Sequence, residues 1–301
     1  MSEFSATDAG LAGFRILREK PMVMPAWAIV SLAISILSVV VMVLLAGPAL
    51  MEVQEIAKAT TPDPEAMVAA YGRMAPALLL ILPIAIIGYS VLYAAASRIV
   101  LRPADRGFGW MKFGADEVRQ GLAMVLVFLI LTGVYLVAAL AAGVFIALGA
   151  MVNPALGVLV GLLAVLGALG IVVYVAVRLS LVSPATFATG RVDIRAAWQL
   201  TKGRFGPLFG AYLLASVLGI IVSVVGVGVF FLIGIPLFGL GNTAQAVFEP
   251  NMTSMATMFP PVGIAYYIWN AVLSGVTSVI FFTPAPAIYR QITGGEQAVF
   301  D

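Results

Sequence analysis

The 301-residue chain contains no cysteine and no histidine, and only 10% of its residues are charged. Without cysteine there can be no disulfide, thiolate metal site, iron–sulfur cluster or thiol nucleophile. Without histidine, Ser-His hydrolysis, H-E-x-x-H zinc chemistry, His-ligated haem and histidine proton relays are excluded. Soluble domains carry roughly 25% charged residues, so the scarcity of charge also excludes an ordinary soluble enzyme, a coiled coil and a disordered chain. No Walker A, G-x-S-x-G or post-strand G-x-G-x-x-G pattern occurs, and the isolated glycine pairs at Gly226 and Gly239 fall at or near apolar helices.

What the chain has in abundance is apolar surface: 62% of residues are hydrophobic and the mean hydropathy is +1.10. A helix needs ~20 apolar residues to cross a bilayer core. Charge-free runs at Pro21–Met51 and Met74–Ser97, the 58 residues between Arg119 and Arg178, and runs before Pro236 and Tyr289 supply six crossings. The predicted helices are 25–46, 75–99, 121–149, 155–181, 208–235 and 262–287, with Asn153-Pro154 turning the third into the fourth. The first run, 31 residues long, exceeds the ~7–15 residues of a signal-peptide core and reads as a membrane span.

Lys and Arg set the expected orientation. Fourteen of the 16 basic residues fall in the N-terminal arm, the second loop, the fourth loop and the tail, which leaves Lys58 and Arg73 opposite. Both termini are therefore expected in the cytoplasm.

The chain also reads as a threefold repeat, over 10–103, 107–185 and 192–290, in one membrane domain spanning 1–301. Each odd helix is entered through an aromatic residue, then a basic one, then Gly or Pro: Phe14 and Arg15 before Pro21, Trp110 and Lys112 before Gly121, Trp198 and Lys202 before Pro207. Tyr93, Tyr174 and Tyr289 precede Arg98, Arg178 and Arg290 where the even helices end. The expected fold is all-α and polytopic, three parallel units of a flat interfacial helix followed by a hairpin. Parallel repeats differ from the inverted repeats common in secondary transporters.

Basic and aromatic side chains suit the headgroup layer. Arg15, Arg18, Lys20, Lys112, Arg119, Lys202 and Arg204 are the candidate headgroup ligands, with Trp110 and Trp198 as depth anchors. Arg98 and Arg178 either snorkel to the interface or form a phosphate pocket with Tyr93 and Tyr174. No acidic residue falls inside a predicted span, so proton coupling lacks its main ingredient. Asn270 is the candidate buried polar residue, either in a stripe with Ser274, Thr277 and Ser278 or bonded to a neighbouring helix. Gly157 and Gly161 serve close helix packing within the chain or dimerisation. Met252, Met255 and Met258 present thioethers that suit either a soft metal or packing on the membrane. Asp63-Pro64-Glu65 predicts a short capping helix over Ala66–Tyr71, with Met67 and Tyr71 inward.

The stretch Arg178-Leu-Ser-Leu-Val-Ser-Pro184, leading to Ala197-Trp198-Gln-Leu-Thr-Lys202-Gly203-Arg204-Phe205, resembles bacterial six-helix proteins related to the membrane domain of glycerophosphodiester phosphodiesterases. That resemblance implies a bacterial cytoplasmic membrane and a membrane module without the family's histidine-dependent catalytic barrel. The expected function is thus non-enzymatic: binding anionic lipid at the cytoplasmic rim and organising lipid or partner proteins. The alternative is a lipid translocator or small-solute channel between the hairpins, near Asn270 and the glycines of the fifth helix. Expected partners are membrane lipids, anionic headgroups favoured, and a membrane protein; no cofactor, metal or nucleic acid is expected.

Overall fold

A computed structural model describes residues 4–59, 61, 63–251 and 254–294. Among them the chain forms thirteen α-helices and one 3-10 turn, with no strand. Six helices are long and apolar enough to cross a membrane, so this is a multi-pass all-α membrane protein. They are α3 (Val23–Lys58), α4 (Pro64–Leu101), α5 (Ala115–Val152), α6 (Pro154–Leu179), α9 (Phe205–Phe238) and α12 (Pro261–Phe282). The rest are short: α1 (Ala6–Gly10), α2 (Ala12–Glu19), α7 (Val182–Thr189), α8 (Ile194–Leu200), α10 (Leu240–Phe248), α11 (Met255–Met258) and α13 (Pro284–Ile292).

Local chemistry fixes the hairpin ends. Asn153 is the entire connection between α5 and α6: its side chain accepts from the Ala155 N–H at 2.8 Å, and Pro154 supplies a first helical position that needs no N–H donor. So tight a turn brings the two backbones together, and a Cβ on Gly157 would lie 2.9 Å from Ala150. Gly161 faces Ile146 in the same way. These two glycines therefore pack α6 on α5 within the chain, while Gly167 and Gly170 meet nothing within 4 Å.

Asp63 caps α4, accepting from Glu65 N at 2.9 Å, with Pro64 at the first position. The expected separate helix over Ala66–Tyr71 is instead the opening of α4, which runs unbroken to Leu101. No residue between Tyr71 and Pro76 stops the helix, so Ala70 and Met74 face inward and Tyr71 is exposed. With 36 and 38 residues, α3 and α4 are each about 55 Å long at 1.5 Å per residue. They outreach a ~30 Å hydrocarbon core, and an Arg73–Glu52 ion pair ties the projecting hairpin together.

The core is not spread evenly along the spans. One large cluster lies at the end that carries both termini, and joins the first turns of α3, α5 and α9 to the last turns of α4, α6 and α12, with α1, α7 and α13 packed among them. At the other end the buried residues divide into two separate clusters, one between α3 and α4 and one among α9, α10 and α12. Beyond Leu131, the buried residues of α5 are Ala138, Ala142 and Gly149 alone. The three hairpins are thus bound together at the terminal end and separate toward the far end.

α1 and α2 fold against the bundle rather than lying apart from it. Gly10 sits on the backbone of α9, where a Cβ would come within 3.0 Å of the Ala211 carbonyl. Gly13 sits on α12, where a Cβ would approach Ile280 Cα to 2.5 Å. The Ser5 N–H donates to Gln291 Oε1 at 2.9 Å, which fastens the first described turn to α13. A short helix also precedes the third hairpin (α8), but the stretch before α5 differs. It forms a 3-10 turn, Phe108–Trp110, with Gly109 at φ 61° and Trp110 at φ 59°.

Candidate functional site

The terminal end holds most of the charged residues, and two arginines organise it. Arg98, in the last turn of α4, is only 2% exposed. Its guanidinium donates to Glu117 Oε1 at 2.6 Å and to the Trp110 carbonyl at 2.6 Å. Its Nε lies 3.3 Å from Asp105 Oδ2, close enough for ionic attraction but without the geometry of a hydrogen bond. Asp116 completes the carboxylate group at 3.8 Å. Phe187 of α7 covers both Arg98 and Arg102, its ring 5.3 and 4.8 Å from their guanidinium carbons. Burial of such a cation is tolerable because carboxylates match its charge and both terminal nitrogens donate hydrogen bonds.

The expectation that Arg98 and Arg178 snorkel is therefore corrected. The physical cause is α7, a helix that the sequence reading did not anticipate. It folds back over the end of α4 and shuts Arg98 in with Phe187, while Trp198 of α8 covers Arg178. Arg98 carries no free charge toward a phosphate, and its neighbour Tyr93 stacks on Phe282 at 4.3 Å instead.

Arg178 has the opposite environment. It is 4% exposed and its guanidinium lies over the Trp198 ring at 4.5 Å. No carboxylate pairs with it among the described residues, and its buried Nε has no hydrogen-bond partner. Tyr174, one turn earlier, meets Trp198 edge-on at 6.4 Å and Phe205 at 5.3 Å. The Thr201 hydroxyl donates to the Arg178 carbonyl at 3.0 Å and fixes α8 to the end of α6. The macrodipole at the C-terminus of α6 offsets part of the charge, but the cation lacks the acidic partner that Arg98 has.

The expected headgroup ligands divide along the same line. Lys112 is hydrogen-bonded to Asp105, Arg119 lies 3.1 Å from Asp116, and Arg15 lies 3.3 Å from Asp8. Lys20 bridges the Ile99 carbonyl at 3.4 Å and the Trp110 ring at 4.6 Å. Arg18 and Lys202 are exposed and form no ion pair among the described residues, and Arg204 donates only to the Leu200 carbonyl at 2.9 Å. The loop from Arg98 to Arg119 sets three acids against five bases, whereas the segment from Arg178 to Arg204 has five bases and only Asp193. The Asp193 carboxylate is itself used to cap α8.

Two titrations follow from this geometry. The Lys112 hydrogen bond, reinforced by the charges of Lys112, Arg98 and Arg102, holds the Asp105 carboxyl below its ordinary value against a smaller effect of burial. Burial pushes Lys20 down, opposed by Glu19 and assisted by Arg106 and Arg290.

The two tryptophans part company as well. Trp110 is half-buried and donates its N–H to the Pro103 carbonyl at 3.2 Å, so it braces the loop. Trp198 is 36% exposed on one side and covered by Arg178 on the other. Asn270 is half-buried and has no hydrogen bond to a neighbouring helix among the described residues. That bond belongs to Trp269, whose N–H donates to the Gly226 carbonyl at 2.9 Å. Thr277 turns back to Leu273 O of its own helix at 3.0 Å. Two α9 glycines meet side chains of α12, Gly219 against Phe281 and Gly226 against Leu273, and the groove between these helices is lined by apolar side chains and Trp269 rather than by Asn270. Of the methionines, Met252 lies outside the described residues, Met255 opens α11 and Met258 is buried.

The chain matches no family model, no curated protein and no solved structure. Its function must be read from its own residues. Those that sequence reasoning missed are Glu117, Asp105 and Asp116 as partners of Arg98, and Phe187 and Trp198 as covers for the two arginines. The carboxylates left one signal: acids clustered in the loop after Arg98, with only Asp193 after Arg178.

Proposed function

We propose that this protein is a non-enzymatic module of a bacterial cytoplasmic membrane. In this reading it binds the phosphate of anionic lipid at its cytoplasmic rim, around α8, and through bound lipid organises its membrane surroundings or a partner protein. The observation that carries this is Arg178: a buried guanidinium without a counter-charge, stacked on a half-lipid-facing tryptophan, with unpaired Lys202 and Arg204 on the same short segment. A phosphate oxygen would supply the missing acceptor, and charge-assisted bonds of arginine to phosphate are among the stronger ones available. The orientation that puts this rim in the cytoplasm follows from the basic residues gathered at that end. This reading also keeps the chain as a relative of the glycerophosphodiester phosphodiesterase membrane domains.

The test is lipid retention after extraction into polymer nanodiscs. Each surface Lys or Arg is worth ~1 kcal/mol toward an anionic membrane, so Lys202→Gln with Arg204→Gln should weaken anionic-lipid binding roughly 30-fold at low salt. Lys112→Gln with Arg119→Gln, which removes charges already facing Asp105 and Asp116, should weaken it much less. Equal effects of the two pairs, or none from the first, would contradict the proposal.

A further inference from the structure

One cavity at the terminal end is built from uncharged hydrogen-bonding groups. It occupies about 150 Å³ between α4, α5, α6 and the start of α7, and Tyr93, Gln120, Ser180 and Ser183 bring its polar atoms. Gln120 and Ser183 hold each other, with Gln120 Nε2 donating to Ser183 O at 2.9 Å and Ser183 Oγ donating to Gln120 Oε1 at 2.7 Å. Ser180 Oγ donates to Val177 O at 2.8 Å. Each serine oxygen keeps acceptor capacity toward the cavity. The Tyr93 hydroxyl, on the cavity wall, forms no hydrogen bond among the described residues. A buried donor left without an acceptor is costly and calls for a partner that the protein does not supply.

Three features define that partner. No acidic or basic side chain lines the cavity, so the group seated there is uncharged. A cavity of about this volume in an apolar core accommodates a benzene-sized guest, and a glycerol-sized group with one or two hydroxyls fits the same space. Met124 and Val127 continue the wall along α5 toward the lipid-facing part of the hairpin, so an attached chain would leave toward the bilayer. The depth agrees: Tyr93 stands five residues from Arg98 and Ala176 two from Arg178, which at 1.5 Å per residue is just inside the charged layer.

We infer that this cavity is a binding site for a neutral membrane amphiphile with a small hydroxyl-bearing head, seated on Ser180, Ser183 and Tyr93, with its acyl chain along α5. The site is separate from Arg178, and its ligand carries no phosphate.

The test uses the full chain in phosphatidylcholine nanodiscs with radiolabelled dioctanoylglycerol as the probe, corrected for uptake by empty discs. Saturable binding is expected. Tyr93→Phe, which removes one hydroxyl from the cavity wall and keeps the ring, should weaken it about fivefold. Ala176→Leu, which fills the cavity, should weaken it about tenfold or more. If Ala176→Leu does not fold, the Tyr93→Phe comparison decides alone. Non-saturable uptake, affinity unchanged in folded Tyr93→Phe, displacement of the probe by free glycerol, or equal affinity for dioctanoyl phosphatidic acid would each overturn the inference. None of these results depends on Lys202 or Arg204, so failure here is distinguishable from failure of the anionic-lipid reading.

Discussion

At the scale of single residues, the molecule contrasts two arginines of nearly equal burial. Arg98 is ion-paired with Glu117, Asp105 and Asp116 and donates to a carbonyl, whereas Arg178 has an aromatic face and no carboxylate partner among the described residues. Removing the first should cost stability. Arg98→Met leaves Glu117 buried without its counter-charge, and a loss of roughly 3–5 kcal/mol is expected, measurable as reduced resistance to chemical denaturation in nanodiscs. Asp105 predicts a pH dependence. Its folded pKa lies below the ordinary value of 3.8, so it contributes stability that is present above that value and is lost as pH falls through the lower folded value. A melting profile taken across the acid range should therefore decline less steeply for Asp105→Asn than for the native protein. A steeper decline would reverse the sign and refute the account.

At the scale of elements, the spans were legible because length and hydropathy alone define them, and the Asn153-Pro154 turn because its chemistry is local. The ends of the helices were less so. The burial of Arg98 depends on α7 folding back, for which Val182–Thr189 carries no periodic signal of its own, and that of Arg178 depends on where α8 sets Trp198. The stretch before α5 looked like its counterparts, yet Trp27 needs the Gly109 carbonyl, which it reaches at 2.9 Å, and Arg98 needs that of Trp110. Those two demands turn consecutive residues into the left-handed region and leave no helix. The N-terminal helices show the converse, since a flat interfacial helix was expected there and their glycines record close packing on the bundle. Gly13→Ala would drive a Cβ to 2.5 Å from Ile280 Cα, and overpacking of this kind costs about 1–3 kcal/mol. Gly210→Ala in α9 meets nothing within 4 Å and should be neutral or stabilising by up to ~1 kcal/mol. Melting temperatures of the two variants should move in different directions.

At the scale of the whole molecule, one packed end carries three hairpins that part toward the other end. The unmatched positive charge, the buried arginines and the uncharged cavity all belong to the packed end. The charge asymmetry was visible in the sequence, but which bases are neutralised was not, because ion pairing depends on how the loop between α4 and α5 wraps around Arg98. The most direct test of the central claim is native mass spectrometry of the protein extracted in nanodiscs of mixed zwitterionic and anionic lipid, comparing the native chain with Arg178→Gln and Arg178→Lys. The account predicts enrichment of anionic lipid on the native protein, about tenfold less on Arg178→Gln, and partial retention on Arg178→Lys. A folded Arg178→Gln protein with the same anionic-lipid enrichment as the native one would contradict it.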